Sequence, residues 1–201
     1  GGANSVRGFA QGRLGPRVLT IDPVRLLEPG TAGAGCNPSQ LMDLSCDPAS
    51  IKEGRFVPRP TGGTRVLEGN LELRFPIGLN LEGVMFTDVG QVWGGRDEVD
   101  LSKLAITPGV GVRYLSPVGP IRIDLGYRFR EGEPLAVVTS QLEVFNPNVH
   151  EESERIRIDG NVIPYVRTNE LAALKTSRLF GEASPLSLQR FQLHISIGQA
   201  F

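Results

Sequence analysis

Hydrophobic and polar residues alternate with a period of two along five separate stretches of this chain, the pattern of a β-strand with two unlike faces. In RVLEGNLELRFP, Leu67, Leu71, Leu73 and Phe75 fall on one face and Glu68, Asn70, Glu72 and Arg74 on the other. LNLEGVMFTDVGQVW follows a short PIG turn. There Leu81, Met85, Val89 and Trp93 share a face with Thr87 and Gln91, opposite Glu82, Phe86, Asp88 and Gly90. ITPGVGVRYL sets Val110, Val112 and Tyr114 against Gly109, Gly111 and Arg113. After an SPVGP turn, IRIDLGYRFR places Ile121, Ile123, Leu125, Tyr127 and Phe129 opposite Arg122, Asp124, Gly126 and Arg128. In RFQLHISIGQAF, Phe191, Leu193, Ile195, Ile197 and Phe201 oppose Gln192, His194, Ser196 and Gly198. Five antiparallel strands are expected, and the fold class is all-β.

The rest of the chain lacks that rhythm. From Ser5 to about Gly63 the turn-forming runs LGP, EPGTAGAG, CDP and PTGG dominate, and the stretch reads as one large loop. A second long connection covers 131–189. Within it RIRIDGNVIPYV predicts a small hairpin about its DG pair, and TNELAALKTSRLF predicts a short helix with Thr168 or Asn169 as N-cap. A soluble sandwich would turn the apolar strand faces to a core, and a membrane barrel would turn them to lipid. Periodicity is the same in both. The alternation of very short and long connections, and an aromatic residue at the end of an amphipathic strand, favour the barrel.

No window approaches the roughly 18 apolar residues of a membrane helix, but a transmembrane β-strand needs only about 9–11 residues, alternately apolar. Gly 25 and Pro 15 in 201 residues suit turns and strands, and a net charge of -1 supplies no basic field for nucleic acid. Cys36 and Cys46, in CNPSQLMDLSC, are too few for a zinc site. Two separate buried thiols and a disulfide closing an exposed loop both fit; the disulfide, which implies an oxidising compartment, is the preferred reading. His150 and His194 belong to no nucleophile or metal motif, and GVGVR lacks the context of a dinucleotide loop. No catalytic residue, metal or cofactor is expected. Glu72 and Asp88 share the polar face, where charge compensation explains them better than acid–base chemistry.

The order SVRGF, LGP, a loop with two cysteines, GG, NLELRFPI, FTDVGQVW, GVGVRYLSPVGPIRIDLGY and a final IGQAF resembles the C-terminal end of BamA and TamA, the bacterial surface antigen family of outer-membrane barrel assembly proteins. The resemblance spans 2–130 and 190–201. It implies an antiparallel transmembrane β-barrel of sixteen strands preceded by periplasmic POTRA domains, of which this chain would hold the last five strands. The expected parts are an extracellular loop with the VRGF motif and cysteine pair (1–63), four amphipathic strands (64–130), a long extracellular loop (131–189) and the C-terminal strand (190–201). Five strands cannot close a barrel, and the glycine-rich start without methionine or signal peptide reads as a fragment. In such a family Arg7 would fold back onto the barrel wall against Glu72 and Asp88. Gly8 would allow a tight turn beside it, and Phe9 would pack on the wall against Phe86. The C-terminal strand, with Ile195, Ile197, Gly198 and Phe201, would form one side of a lateral seam and carry the terminal recognition signal. Implied partners are unfolded outer-membrane clients, the lipid bilayer, and accessory lipoproteins or an inner-membrane partner reached through POTRA domains. A two-partner-secretion transport barrel is the alternative.

Overall fold

A computed structural model describes residues 1–30, 33–95, 99–117, 119–129, 132–181 and 187–197. Among the described residues ten strands run in chain order: β1 Arg17–Thr20, β2 Val57–Pro60, β3 Arg65–Gly78, β4 Leu81–Trp93, β5 Ala105–Ser116, β6 Gly119–Tyr127, β7 Glu133–Val144, β8 Arg155–Ile158, β9 Asn161–Phe180 and β10 Phe191–Ile197. Two short helices, α1 Pro23–Leu27 and α2 Pro38–Met42, lie between β1 and β2. The chain divides into two compact units.

The first unit comprises 1–16, 60–132 and 182–201, and holds a five-stranded sheet in the order β10-β6-β5-β4-β3. All its pairings are antiparallel. They run from Arg65↔Trp93 to Gly78↔Leu81 between β3 and β4, and from Phe191↔Tyr127 to Ile197↔Ile121 between β10 and β6. These are the five strands that the alternation anticipates, with the first turn displaced to Leu79 and Asn80 because β3 continues through the PIG sequence.

Exposure distinguishes the two readings of the alternation. Leu71 is 77% exposed, while Asp88, Arg113 and Asp124 on the opposite face are each 1–2% exposed. Leu73, Met85, Val110, Ile123, Leu193 and Ile195 are exposed as well. A soluble sandwich buries its apolar face; this sheet leaves it exposed and covers Asp88, Arg113 and Asp124 instead.

The second unit comprises 17–59 and 133–181 and corrects the reading of 5–63 as a structureless loop. Its sheet has the order β2-β1-β7-β9-β8. β1 runs parallel to β7 (Leu19↔Val137), while β7 and β8 pair antiparallel with β9. Leu19, Leu26, Leu41, Cys46, Ile51, Val137, Leu142, Ile156 and Leu174 form its core. At α1 the Asp22 carboxylate caps the N-terminus by accepting from the Val24 N–H, and Pro23 supplies the first helical φ. The long parallel partner of β1 lies more than a hundred residues away in sequence, so local periodicity carries no trace of the pairing.

The expected DG hairpin is present as β8–β9, with Asp159 and Gly160 both at positive φ (48° and 82°), as a two-residue turn matched to strand twist requires. The expected helix at TNELAALKTSRLF is instead the second half of β9. Its Leu, Ala, Glu and Lys are good helix formers, but such preferences differ by less than about 1 kcal/mol per residue, and pairing with β7 from Val144↔Tyr165 to Glu133↔Phe180, interrupted by two register shifts, outweighs them. Thr168 does not cap a helix: its hydroxyl donates to the Gln141 carbonyl.

Candidate functional site on the charged face of the sheet

The site is built where the N-terminal segment crosses the charged face of the first unit's sheet. The Phe9 N–H donates to the Val6 carbonyl, closing a tight turn with Arg7 and Gly8 at its centre. Val6, Phe9 and Leu14 are buried with Ala105 of β5, which fixes the turn to the wall through apolar contact.

Arg7 is 2% exposed and its donors are directed at carboxylates on three strands. Nε donates to Asp88 Oδ2 at 2.8 Å and Nη2 to Asp88 Oδ1 at 2.8 Å, the bidentate fork that a planar guanidinium favours. The Arg7 backbone N–H also reaches Asp88 Oδ2, at 2.9 Å. Nη1 donates to Glu72 Oε2 at 2.9 Å and lies 3.5 Å from Asp124 Oδ2. The guanidinium carbon stands 3.4 Å from the centroid of the Phe86 ring, so one face of the cation rests on an aromatic quadrupole. Burial by itself would lower the Arg7 pKa; the hydrogen bonds to Asp88 and Glu72 outweigh it, and the group is held above its ordinary value as a permanent cation.

Around this pair lies a wider network. Arg113 donates to both oxygens of Asp124 and lies 3.4 Å from Glu72 Oε2, and Arg122 lies 3.5 Å from Asp124 Oδ2. Three buried guanidiniums thus meet the carboxylates of Glu72, Asp88 and Asp124, and the charges balance. Asn70 donates to Asp88, and Arg74 closes the outer edge on Glu72 at 2.7 Å. An arrangement of this kind has a high cost if one member is lost, because the remaining charge stays buried without its partner.

The carbonyl of Arg7 engages the fifth strand. His194 Nε2 lies 2.9 Å from it, and a carbonyl can only accept, so Nε2 carries the proton. Gly8 lies against Thr107 of β5, where a Cβ would meet Thr107 Oγ1 at 2.4 Å. Its glycine serves close approach to the wall. Gly126 of β6 serves the same end from the other side, since a Cβ there would lie 2.8 Å from the Arg7 carbonyl oxygen. Arg7 and Gly8 together therefore touch all five strands of the sheet.

Arg7, Gly8, Glu72, Phe86 and Asp88 lie together on the charged face of the sheet. Phe9 is buried on the wall but in a different place: it packs with Val6, Leu14 and Ala105, and the Phe86 ring serves Arg7. The Arg7 guanidinium occupies the ring face of Phe86, which leaves no room for a second ring there. Ile195 and Ile197 lie exposed on the apolar face of β10. Gly198 and Phe201 are outside the described residues. Cys36 and Cys46 form a disulfide in the second unit, with Cα atoms 5.7 Å apart. Arg113, Arg122, Asp124 and His194 were not singled out from sequence. Their signal was membership of the polar face; what it lacked was the register that sets Gly111 beside Asp124 and Asp124 beside His194.

An exposed apolar sheet face, a covered charged face and an arginine clasped to that face characterise this all-β chain. A family model described as the Omp85 superfamily domain matches residues 1–141, and the chain belongs to the Omp85 superfamily. Members of that superfamily are bacterial outer-membrane proteins that act in protein insertion or transport. No curated protein matches the chain.

Proposed function

We propose that this chain is the C-terminal part of an outer-membrane assembly factor of the BamA/TamA kind, which folds and inserts β-barrel proteins without catalysing a covalent reaction. The observation that carries this reading is the position of β10. It stands at one end of the strand order, as β3 does at the other, and pairs with β6 from Phe191↔Tyr127 to Ile197↔Ile121. Unpaired N–H and C=O groups along such an edge offer an incoming strand the hydrogen bonds it needs, and the exposed Leu193, Ile195 and Ile197 supply an apolar side continuous with lipid.

In the complete barrel of sixteen strands that edge would meet the first strand at a lateral seam in the outer membrane. Clients would be unfolded outer-membrane proteins, delivered through POTRA domains and their accessory lipoproteins or inner-membrane partner. The buried Arg7 network supports the same reading by holding the wall beside the seam in one conformation, so that the seam is the place where the structure yields.

A photo-crosslinker at Ile197 of the full-length protein tests this in cells. Adducts with nascent barrel proteins are expected. Adducts confined to lumen-facing positions, formed with a secreted substrate and absent at Ile197, would reassign the protein to the transport branch.

A further inference from the structure

Arg7 meets three carboxylates, and they do not depend on it equally. Glu72 also accepts from Arg74 Nε at 2.7 Å and lies 3.4 Å from Arg113 Nη2. Asp124 accepts from Arg113 through both oxygens, at 2.5 and 3.2 Å, while Arg122 and Arg7 each stand 3.5 Å from it. Both carboxylates therefore have arginines of the sheet itself. Asp88 does not. Among the described residues Arg7 is the one cation within ion-pair distance of Asp88, through Nε, Nη2 and the backbone N–H, and Asn70 adds a neutral donor.

Strand register explains the division. Arg74 stands opposite Val84, four residues along β4 from Asp88, and Arg113 stands opposite Glu82, six residues along. At about 3.3 Å per residue these levels lie roughly 13 and 20 Å from Asp88 along the strand. Arg122 is directly opposite Arg113 and shares the farther level. All three sheet arginines thus lie toward one end of β4, and Glu72 and Asp124 intercept them before Asp88. Arg128, past the other end of β6, donates to the Gln189 carbonyl and lies 5.5 Å from the Phe9 ring.

We propose that residues 5–9 form a releasable strap: Asp88 is the one carboxylate that requires Arg7, and Arg113, with Arg74 and Arg122, keeps the rest of the charged face paired when the strap leaves. Two like charges opposite each other on neighbouring strands, Arg113 and Arg122, repel unless an anion lies between them, and Asp124 is that anion. Withdrawal of Arg7 removes a competitor for Asp124 and leaves it to Arg113 and Arg122. Arg122 gains by this, since its Nε has no hydrogen-bond partner among the described residues. The other attachments of the strap are the Ser5 hydroxyl on Glu68, the apolar packing of Val6 and Phe9, and the His194 bond to the Arg7 carbonyl. None of these neutralises a charge of the face. The division rests on the sheet alone and does not depend on the function proposed above.

The test uses the full-length protein in detergent, with thermal unfolding as the readout of the sheet and protease cutting near residues 5–9 as the readout of the strap. In an Arg7→Ala background, Asp88→Asn discharges the carboxylate that has lost its arginine and should restore most of the lost melting temperature. Glu72→Gln in the same background should restore none, because it takes an acceptor from Arg74 and Arg113. With Arg7 present, Asp88→Asn should raise cutting near 5–9 at least about tenfold, the loss expected when a charged acceptor of a guanidinium fork is made neutral. Arg113→Gln should do the opposite, lowering the melting temperature while cutting stays at the wild-type level below the transition; this variant keeps the proposal testable where Asp88→Asn fails to fold. Rescue by Asp88→Asn no better than by Glu72→Gln, or release of the strap by Arg113→Gln, overturns the proposal.

Discussion

At the residue scale, Arg7 carries more than any other side chain in the sheet, and the reason is geometric. A lysine would keep the charge but could not form the fork on Asp88 while also reaching Glu72. Arg7→Ala leaves two carboxylates buried beside a vacant position and should destabilise the folded sheet by about 3–5 kcal/mol. Arg7→Lys should recover only part of that loss. Thermal unfolding of the two variants in detergent, with protease cutting near residues 5–9 as a local readout, checks both; equal stability of wild type and Arg7→Ala would show that the fork contributes nothing. Gly126→Ala tests the same clasp from the wall, since the obstructing atoms belong to the Arg7 backbone and cannot rotate aside. A loss of about 1–3 kcal/mol is expected, with Arg7 still present. Arg7, Glu72 and Asp88 were legible as a lock because the VRGF resemblance joined them. Arg113, Arg122 and Asp124 were legible only as polar-face residues, because alternation fixes a face and leaves height along the strand open.

At the element scale, among the described residues His194 is the side chain that links β10 to the N-terminal segment. His194 donates from Nε2 to the Arg7 carbonyl, whereas the Arg7 guanidinium is directed to β3, β4 and β6. His194→Leu should therefore loosen β10 and leave the guanidinium lock intact. Hydrogen exchange separates the two: faster exchange is expected across 191–197, with exchange at Arg7 and Asp88 unchanged. Faster exchange at all these positions would mean that lock and strand form one cooperative unit. In the second unit the corresponding device is covalent. The Cys36–Cys46 disulfide closes a loop with a sequence separation of 10, and a closure of that size should contribute roughly 2–3 kcal/mol. Cys36→Ser with Cys46→Ser should speed exchange throughout 17–59 and leave the first unit's sheet unaffected. The elements of this unit were the least legible part of the chain. Strands of four residues, such as β1 and β2, are too short to display a period, and their partners are remote in sequence.

At the scale of the whole molecule, the exposed apolar face of the first unit's sheet bears on the solvent that the proposed function requires. Exposed leucines and isoleucines on one face and buried ion pairs on the other would be unfavourable in water twice over, through unburied apolar area and through desolvated charge. In a bilayer the first of these costs disappears, because the apolar face meets hydrocarbon while every interior strand remains paired through its backbone. That argument predicts which residues lipid touches. In the full-length protein reconstituted into vesicles, a fluorophore on Leu73→Cys or Ile123→Cys should be quenched by nitroxide-labelled acyl chains, while one on Ser196→Cys should not. Within this chain Cys36 and Cys46 are paired, so neither competes for the label. Quenching at Ser196 with none at Leu73 would reverse the facing and return the sheet to a soluble design. Quenching in the expected order would fix the charged face as the lumen side, and would place the Arg7 clasp inside the barrel, where a loop can brace a wall without ever entering the membrane.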